Sequence, residues 1–68
     1  MIEAGQIWER SWGPDSATGV VLTDPEDYWI TVFIIARQGE THHKVGEIVD
    51  WCSKNMLEVD STNSRRLA

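Results

Sequence analysis

The stretch YWITVFIIA, residues 28–36, contains one polar residue, Thr31, among nine. Its β-branched and aromatic side chains predict a β-strand. Successive side chains of a strand point to opposite faces. One face would therefore carry Tyr28, Ile30, Val32, Ile34 and Ala36, and the other would carry Trp29, Thr31, Phe33, Ile35 and Arg37. Both faces are mostly apolar, so both have to be covered.

The length of the chain limits how that strand can be covered. Its 68 residues form one domain, and domains of this size bury roughly 60% of the surface that their unfolded chain exposes. We therefore expect the face of Trp29, Phe33 and Ile35 to meet a second copy, a partner protein, or a strongly curved part of the same barrel. The four tryptophans can bury a large area in such a contact or in the core.

Cysteine and histidine do not predict a disulfide or a metal site. Cys52 is the one cysteine, and His42 and His43 are adjacent, so no internal disulfide or zinc-type ligand set is expected. Neighbouring residues of a strand face opposite ways, which places the two histidines at an exposed edge. We expect no cofactor and no metal, and we interpret Cys52 as a small buried apolar residue.

The charge is acidic and unevenly placed. The formal net charge is −5, and all 11 Asp and Glu lie within residues 1–60, whereas Arg65 and Arg66 follow them. An acidic body argues against general nucleic-acid binding, which needs clustered Lys and Arg. It favours solubility, or competition for a basic protein surface. No signal peptide or bilayer-length apolar run is visible, so we expect a cytoplasmic protein with no membrane partner.

Turn residues divide the rest of the chain into further predicted elements. Gly13-Pro14-Asp15-Ser16 predicts an exposed loop over 11–18 that carries Trp12. Asp24-Pro25 predicts a turn at 24–27, which we expect to be solvated, and Gln38-Gly39 predicts a turn at 38–40. The predicted strands lie at 6–10 (extending up to Trp12), 19–23, 28–37 and, as a polar edge, 41–45.

The segment from Gly46 to Val59 has two interpretations. Its apolar residues fit a helical stripe, but they also fit two short strands around one helical turn at 50–55. We prefer the second, with Asp50 as the cap of the turn and Asn55 as its left-handed stop. After Asp60 the sequence has no periodicity. We therefore expect a domain over 1–60 and a flexible tail over 61–68.

The resulting order of elements resembles a five-stranded SH3-like barrel. The closing stretch from Gly46 to Val59 has the glycine, isoleucine, helical turn, asparagine and short apolar strand with which such barrels end. The opening Gly5-Gln6-Ile7-Trp8, with Gly19-Val20-Val21-Leu22 after a loop, also resembles many small barrels, including short phage-encoded proteins of unknown role. The resemblance covers about residues 5–59 and implies an all-β fold with one helical turn before the last strand.

The resemblance also implies a binding groove. In peptide-binding SH3 domains the groove lies between the long loop after the first strand, a hairpin loop and the helical turn, which maps here onto Trp12, Asp15, Tyr28 and Asn55. This chain lacks the paired tyrosines of the first strand and the proline before the closing asparagine turn. Recognition of proline-rich peptides is therefore not expected.

A second, partial resemblance concerns MazF-type ribonucleases, which also use an SH3-like barrel. Their opening is similar to Gly5–Trp8 followed by Gly19–Leu22, but they carry an Arg-Pro after the loop where this chain has Gly19-Val20. This chain is also shorter, and its acidic charge disfavours RNA. We therefore do not expect an enzyme.

The sequence favours a non-enzymatic binding module that acts through an aromatic and apolar surface, as a phage-type protein that blocks a host factor would. Self-association into a homo-oligomer is expected. The alternative is an oligomeric protein that sequesters a small, nucleotide-like ligand between protomers, with Trp8, Trp12 and Trp29 as walls and Arg37 or Lys44 for charge. The candidate binding residues are Trp12, Asp15, Tyr28, Trp29, Phe33, Ile35, Arg37 and Asn55.

Overall fold

The computed structural model describes residues 2–53 and 63–68. They form one five-stranded sheet in which every neighbouring pair is antiparallel, with the strand order β4-β3-β2-β1-β5. The strands are β1 (Ile7–Trp12), β2 (Asp15–Val21), β3 (Trp29–Gln38), β4 (Ile48–Cys52) and β5 (Ser64–Arg66). The predicted all-β class is confirmed, and the described strand pairs form an open sheet. In this part of the chain no helix is long and apolar enough to span a membrane.

From Trp29 to Ile34 the long strand β3 alternates as its sequence predicts, but Tyr28 and Ala36, predicted on the buried face, are exposed. Tyr28 precedes the strand, and beyond the register shift described next Arg37 lies opposite the buried Ala17 and not on the face of Trp29. Ile30, Val32 and Ile34 are buried, whereas Trp29 and Phe33 are exposed. The register with β2 shifts between Thr18 and Gly19, which leaves one extra residue in β3 at this point. Such a bulge bends a strand and increases its twist, so the sheet curls around its buried side.

The buried side, here called the inner face, holds the core. Trp8 on β1 and Trp51 on the edge strand β4 pack with the small and branched residues between them. Ile2 covers this face from the N-terminal segment, and the Trp8 indole nitrogen donates a 2.9 Å hydrogen bond to the buried Gln6 Oε1. The inner face consists of Trp8, Ala17, Val21, Ile30, Val32, Ile34 and Trp51.

The prediction of an exposed loop over 11–18 is wrong. Trp12 pairs with Asp15 across a two-residue turn at Gly13-Pro14, where Gly13 has a φ of +64°. Residues 15–18 therefore belong to β2, which pairs with β1 on one side and β3 on the other. Two ladders satisfy the backbone of this segment, and this outweighs the turn preference of Asp15 and Ser16.

The prediction of an edge strand at 41–45 is also wrong. The Thr41 hydroxyl accepts a hydrogen bond from the His43 backbone N–H and donates one to the His43 carbonyl, both at 3.2 Å. Farther along, the Glu47 N–H donates to the Lys44 carbonyl at 3.0 Å. Local side-chain bonds of this kind compete with strand pairing, so the segment forms a compact loop.

The helical turn predicted at 50–55 is replaced in its first half by β4. Asp50 lies opposite Thr31, and Trp51 lies opposite Ile30, so Asp50 caps no helix. Pairing with β3 buries Trp51 on the inner face, and this long-range gain outweighs the local capping signal. Asn55 and the strand expected at 56–59 lie outside the described residues.

The C-terminal segment departs from the expected flexible tail. Ser64–Arg66 forms β5 along the free edge of β1, and the Leu67 N–H donates to the Ile7 carbonyl at 2.8 Å. Arg65 Nε contacts Glu9 Oε1 at 3.1 Å. An unpaired strand edge favours pairing with any available segment, and β1 offers that edge to residues 64–66.

Candidate functional site

The face of the sheet opposite the core, here called the outer face, carries a continuous apolar row. The register places Ile7 beside Val20, Val20 beside Phe33, and Phe33 beside Ile48. Four side chains from four strands therefore lie in one line across the sheet. Phe33 is 37% and Ile48 62% exposed, so the β3 and β4 half of the row is exposed, whereas Ile7 and Val20 are half-buried.

Further apolar residues extend the row along β3. Trp29, which is 53% exposed, precedes it beside Cys52, and Ile35 follows it at the bulge. Cys52 is thus half-buried on the outer face and does not lie in the core. The row forms an apolar patch of the kind that usually marks an interaction surface.

Polar and charged groups border the patch. The Thr31 hydroxyl donates to Asp50 Oδ1 at 3.3 Å, and this polar pair lies on the same face between Trp29 and the row. On the β5 side Arg65 pairs with Glu9. The turn before β3 contributes the exposed carboxylates of Glu26 and Asp27 next to Trp29. An apolar centre with a polar rim is the usual anatomy of a protein interface.

A second constellation lies on the inner side, where β1 and β4 approach each other. The Arg10 guanidinium carbon is 5.4 Å from the centroid of Trp12 and 5.7 Å from that of Trp51. The His43 ring is 5.5 Å from Trp12 and 5.9 Å from Trp51. These four side chains, the ring quartet, form a closed cycle of contacts that bridges two strands which are not neighbours in the sheet.

One hydrogen bond within the quartet orients the His43 ring. Trp51 Nε1 donates to His43 Nε2 at 3.2 Å, so Nε2 is the acceptor of this bond. Nδ1 faces Glu47 Oε1 at 3.8 Å. The histidine was predicted to be an exposed edge residue, but it is half-buried between two indoles.

Among the described residues Arg10 contacts two indole rings and pairs with no carboxylate. Its Nε is buried without a hydrogen-bond partner among the described residues. Burial lowers the pKa of Arg10, and the Cys52 thiol opposes that shift. Cation–π contact with two indoles stabilises such a desolvated guanidinium. Because these contacts join β1 to β4, the quartet stabilises the curvature of the sheet.

Two predicted site residues, Trp12 and Asp15, line a cavity of about 350 Å³ together with the loop from Glu40 to His43. Trp12 belongs to the quartet and is also 41% exposed, so part of its ring surface faces the cavity and solvent. Asp15 Oδ1 accepts from the Glu40 N–H at 3.0 Å, and Arg37 donates to the Gly39 carbonyl at 2.8 Å. These bonds shape the neighbouring turn.

Tyr28 lies at the other end of the sheet and does not join Trp12 and Asp15. It immediately precedes β3, whereas Asp15 begins β2 beside the far end of β3. It lines an open cleft of about 950 Å³ with Ile2, Pro25 and Ser53. The described residues therefore do not assemble Trp12, Asp15 and Tyr28 into the groove implied by the SH3 resemblance.

Several residues of these sites were not predicted from the sequence. Arg10 and Trp12, two residues apart in one strand, share a face, and this spacing was a usable signal. His43 enters the quartet through the loop conformation, which no local pattern indicated. The residues added by the structure are Arg10, His43 and Trp51 in the quartet and Ile7, Val20 and Ile48 in the row.

No group of three or more His, Cys, Asp or Glu side chains in the described ranges is placed to hold a metal ion. Comparison with known proteins gives no further assignment. No protein-family model, curated protein or solved structure matches the chain.

Proposed function

We propose that this chain is a non-enzymatic binding module that acts by burying its outer face against another polypeptide chain. The observation that carries the proposal is the apolar row, which crosses four strands and exposes Phe33 and Ile48. Transfer of apolar surface out of water drives most protein association. Phe33, at the centre of the row, is the natural anchor.

The ring quartet supports a binding role over a catalytic one. His43 Nε2 accepts the Trp51 indole N–H, and Arg10 lies against both indoles. A general base needs a ring nitrogen within reach of substrate, and this nitrogen is already bonded to a buried residue. The cluster therefore contributes to the shape of the sheet that presents the outer face.

We also infer that the module is an SH3-like barrel. The strand order β4-β3-β2-β1-β5, antiparallel throughout, supports it, as does the quartet that draws β1 towards β4. The module would act by occupying the binding surface of its partner, as a phage-type blocker of a host factor would. This mode of action agrees with an outer face that is apolar at its centre and acidic beside Trp29.

Affinity capture with the wild type and two variants tests the proposal. Immobilised wild-type protein, Phe33→Glu and Gln38→Glu are compared, because Gln38→Glu adds the same charge to an exposed position of the same strand. We expect at least one protein that the wild type and Gln38→Glu retain and Phe33→Glu loses. Identical retained sets for all three, with each variant folded by circular dichroism, would refute a role for the outer face.

A further inference from the structure

The edge of β1 is covered by a strand that few side chains hold in place. β5 has three residues, and its backbone continues along β1 to Ala68, whose carbonyl accepts a 3.0 Å hydrogen bond from the Ile7 N–H. Ser64 is buried, but Arg65 and Arg66 are exposed, and β5 adds no residue to the apolar core of the described chain. Main-chain hydrogen bonds therefore hold this strand, with little help from apolar burial.

Two buried polar atoms lack partners where β5 meets β1. The register places Ser64 directly opposite Arg10, so their side chains lie on the same face of the sheet. Ser64 Oγ and Arg10 Nε are both buried, and neither has a hydrogen-bond partner among the described residues. A buried donor that stays unpaired destabilises the structure that contains it. β5 therefore covers the edge of β1 but does not satisfy Arg10 Nε.

The charges along the edge of β1 indicate which strand fits it better. A carboxylate opposite Arg10 would supply the acceptor that Nε lacks, and hydrogen bonds between a guanidinium and a carboxylate are stronger than neutral ones. At the next position of the register, Arg65 Nε already contacts Glu9 Oε1 at 3.1 Å. The edge therefore matches an extended segment in which an acidic residue faces Arg10 and the following, basic residue faces Glu9.

We infer that the edge of β1 is a strand-addition site, at which a partner polypeptide with an acidic residue followed by a basic one displaces β5. Strand addition takes its affinity from main-chain hydrogen bonds and its specificity from the side chains of the added strand. The resident strand belongs to the same chain, so it competes at an effective concentration of roughly millimolar. The pairing of Arg10, which β5 lacks, gives the incoming strand its advantage. This site is separate from the outer face, so the inference goes beyond the proposed function.

Amide hydrogen exchange of the full chain tests whether β5 opens by itself. The Ser11 N–H donates to the Asn63 carbonyl and loses its partner when β5 leaves, whereas the Val21 N–H donates to the Gln6 carbonyl, both at 2.8 Å. Relative to its intrinsic rate, Ser11 should exchange at least about 10-fold faster than Val21, because local opening needs less free energy than global unfolding. Equal protection would show that β5 leaves only when the whole domain unfolds, and this would overturn the inference.

Two substitutions at Ser64 test the chemistry of the match. Ser64→Asp gives the resident strand the acceptor that Arg10 Nε lacks, so it should slow exchange of the Ser11 amide at least about 5-fold. Ser64→Ala is the matched control, because it removes the unpaired hydroxyl and adds no acceptor, and it should slow exchange less. If the Ser11 amide exchanges as fast in Ser64→Asp as in Ser64→Ala, Arg10 does not select the occupant and the inference fails.

Displacement is measured with peptides of residues 63–68, added to the isotopically labelled full chain at up to about 10 mM. Release of β5 moves the backbone resonances of residues 64–66 to random-coil positions. The peptide with Ser64→Asp should release β5 at a concentration at least about 5-fold lower than the peptide of native sequence. Adding Arg65→Glu to it should remove this gain, because like charges then meet at Glu9. A Ser64→Asp peptide that releases no more β5 than the native sequence, or none at all, would refute the strand-addition site.

Discussion

The ring quartet makes a quantitative prediction about the bond between Trp51 and His43. Trp51→Phe removes the indole N–H that His43 Nε2 accepts and leaves a smaller ring at a position that is buried. The lost hydrogen bond costs about 1 kcal/mol, and the smaller buried ring costs roughly 1–2 kcal/mol more. We expect Trp51→Phe to lower the free energy of unfolding by about 2–3 kcal/mol.

A double-mutant cycle with His43→Ala separates the contact from the change in size. The coupling energy between the two positions should be about 1–1.5 kcal/mol, from one hydrogen bond and one tilted ring contact. In a domain of 68 residues, 1 kcal/mol corresponds to about 7 °C in Tm. The double variant should therefore melt roughly 7–10 °C above the temperature that the two single effects predict when added.

Thermal and urea unfolding followed by far-ultraviolet circular dichroism measure these quantities without depending on tryptophan emission. His42→Ala is the matched control, because His42 adjoins His43 but is exposed and makes none of the quartet contacts. It should change stability by less than about 0.5 kcal/mol. A coupling energy below about 0.3 kcal/mol between Trp51 and His43 would show that the quartet does not hold β1 and β4 together.

Three further changes have expected outcomes that thermal unfolding can check. Gly19→Ala should lower stability by about 1–3 kcal/mol, because the added Cβ would clash with Val32 Cγ1; an unchanged Tm would mean that the strands are farther apart there. Tyr28→Gly should raise stability by about 0.5–1 kcal/mol. Asp27 and Tyr28 both have positive φ in the turn closed by Glu26 and Trp29, a conformation that glycine adopts with less strain. A lower Tm would mean that the tyrosine ring makes a compensating contact. Truncation after Asn63 should cost about 1–3 kcal/mol by removing β5 and its Arg65–Glu9 pair; full stability without residues 64–68 would contradict this pairing.

The parts of the fold that local sequence determines were predicted correctly. In β3 the alternation depends only on consecutive residues of one strand. Ile30, Val32 and Ile34 are buried and Trp29 and Phe33 are exposed, as that alternation predicts. The exposure of the second face could be anticipated in the same way, because a short chain has too few other apolar residues to cover it. Its role as a docking surface remains a prediction.

The parts that depend on distant partners could not be predicted. The turn residues of 11–18 and the capping signal of Asp50 were genuine local preferences, but β2 and β4 gain more from their ladders with β3. Residues 64–66 have no strand pattern of their own and pair because β1 presents a free edge. In each case the decisive contact lies far away in the sequence.

The same limit applies to the sites. Ile7, Val20 and Ile48 each look like ordinary strand residues, and only the register shows that they lie in one line with Phe33. His43 meets Trp12 and Trp51 because Thr41 folds the loop back on itself. The groove expected from the SH3 resemblance required Tyr28 near Trp12, and the length of β3 separates them.

The most direct test of the outer face as a docking surface is hydroxyl-radical footprinting of the wild type, alone and mixed with a protein that the wild type retains and Phe33→Glu loses. Trp29, Phe33 and Ile48 are exposed in the single chain, and so is Trp12, which lies in the quartet away from the outer face. The account predicts that oxidation of the first three falls in the mixture while oxidation of Trp12 stays constant. Equal oxidation in both samples, or protection centred on Trp12, would contradict it.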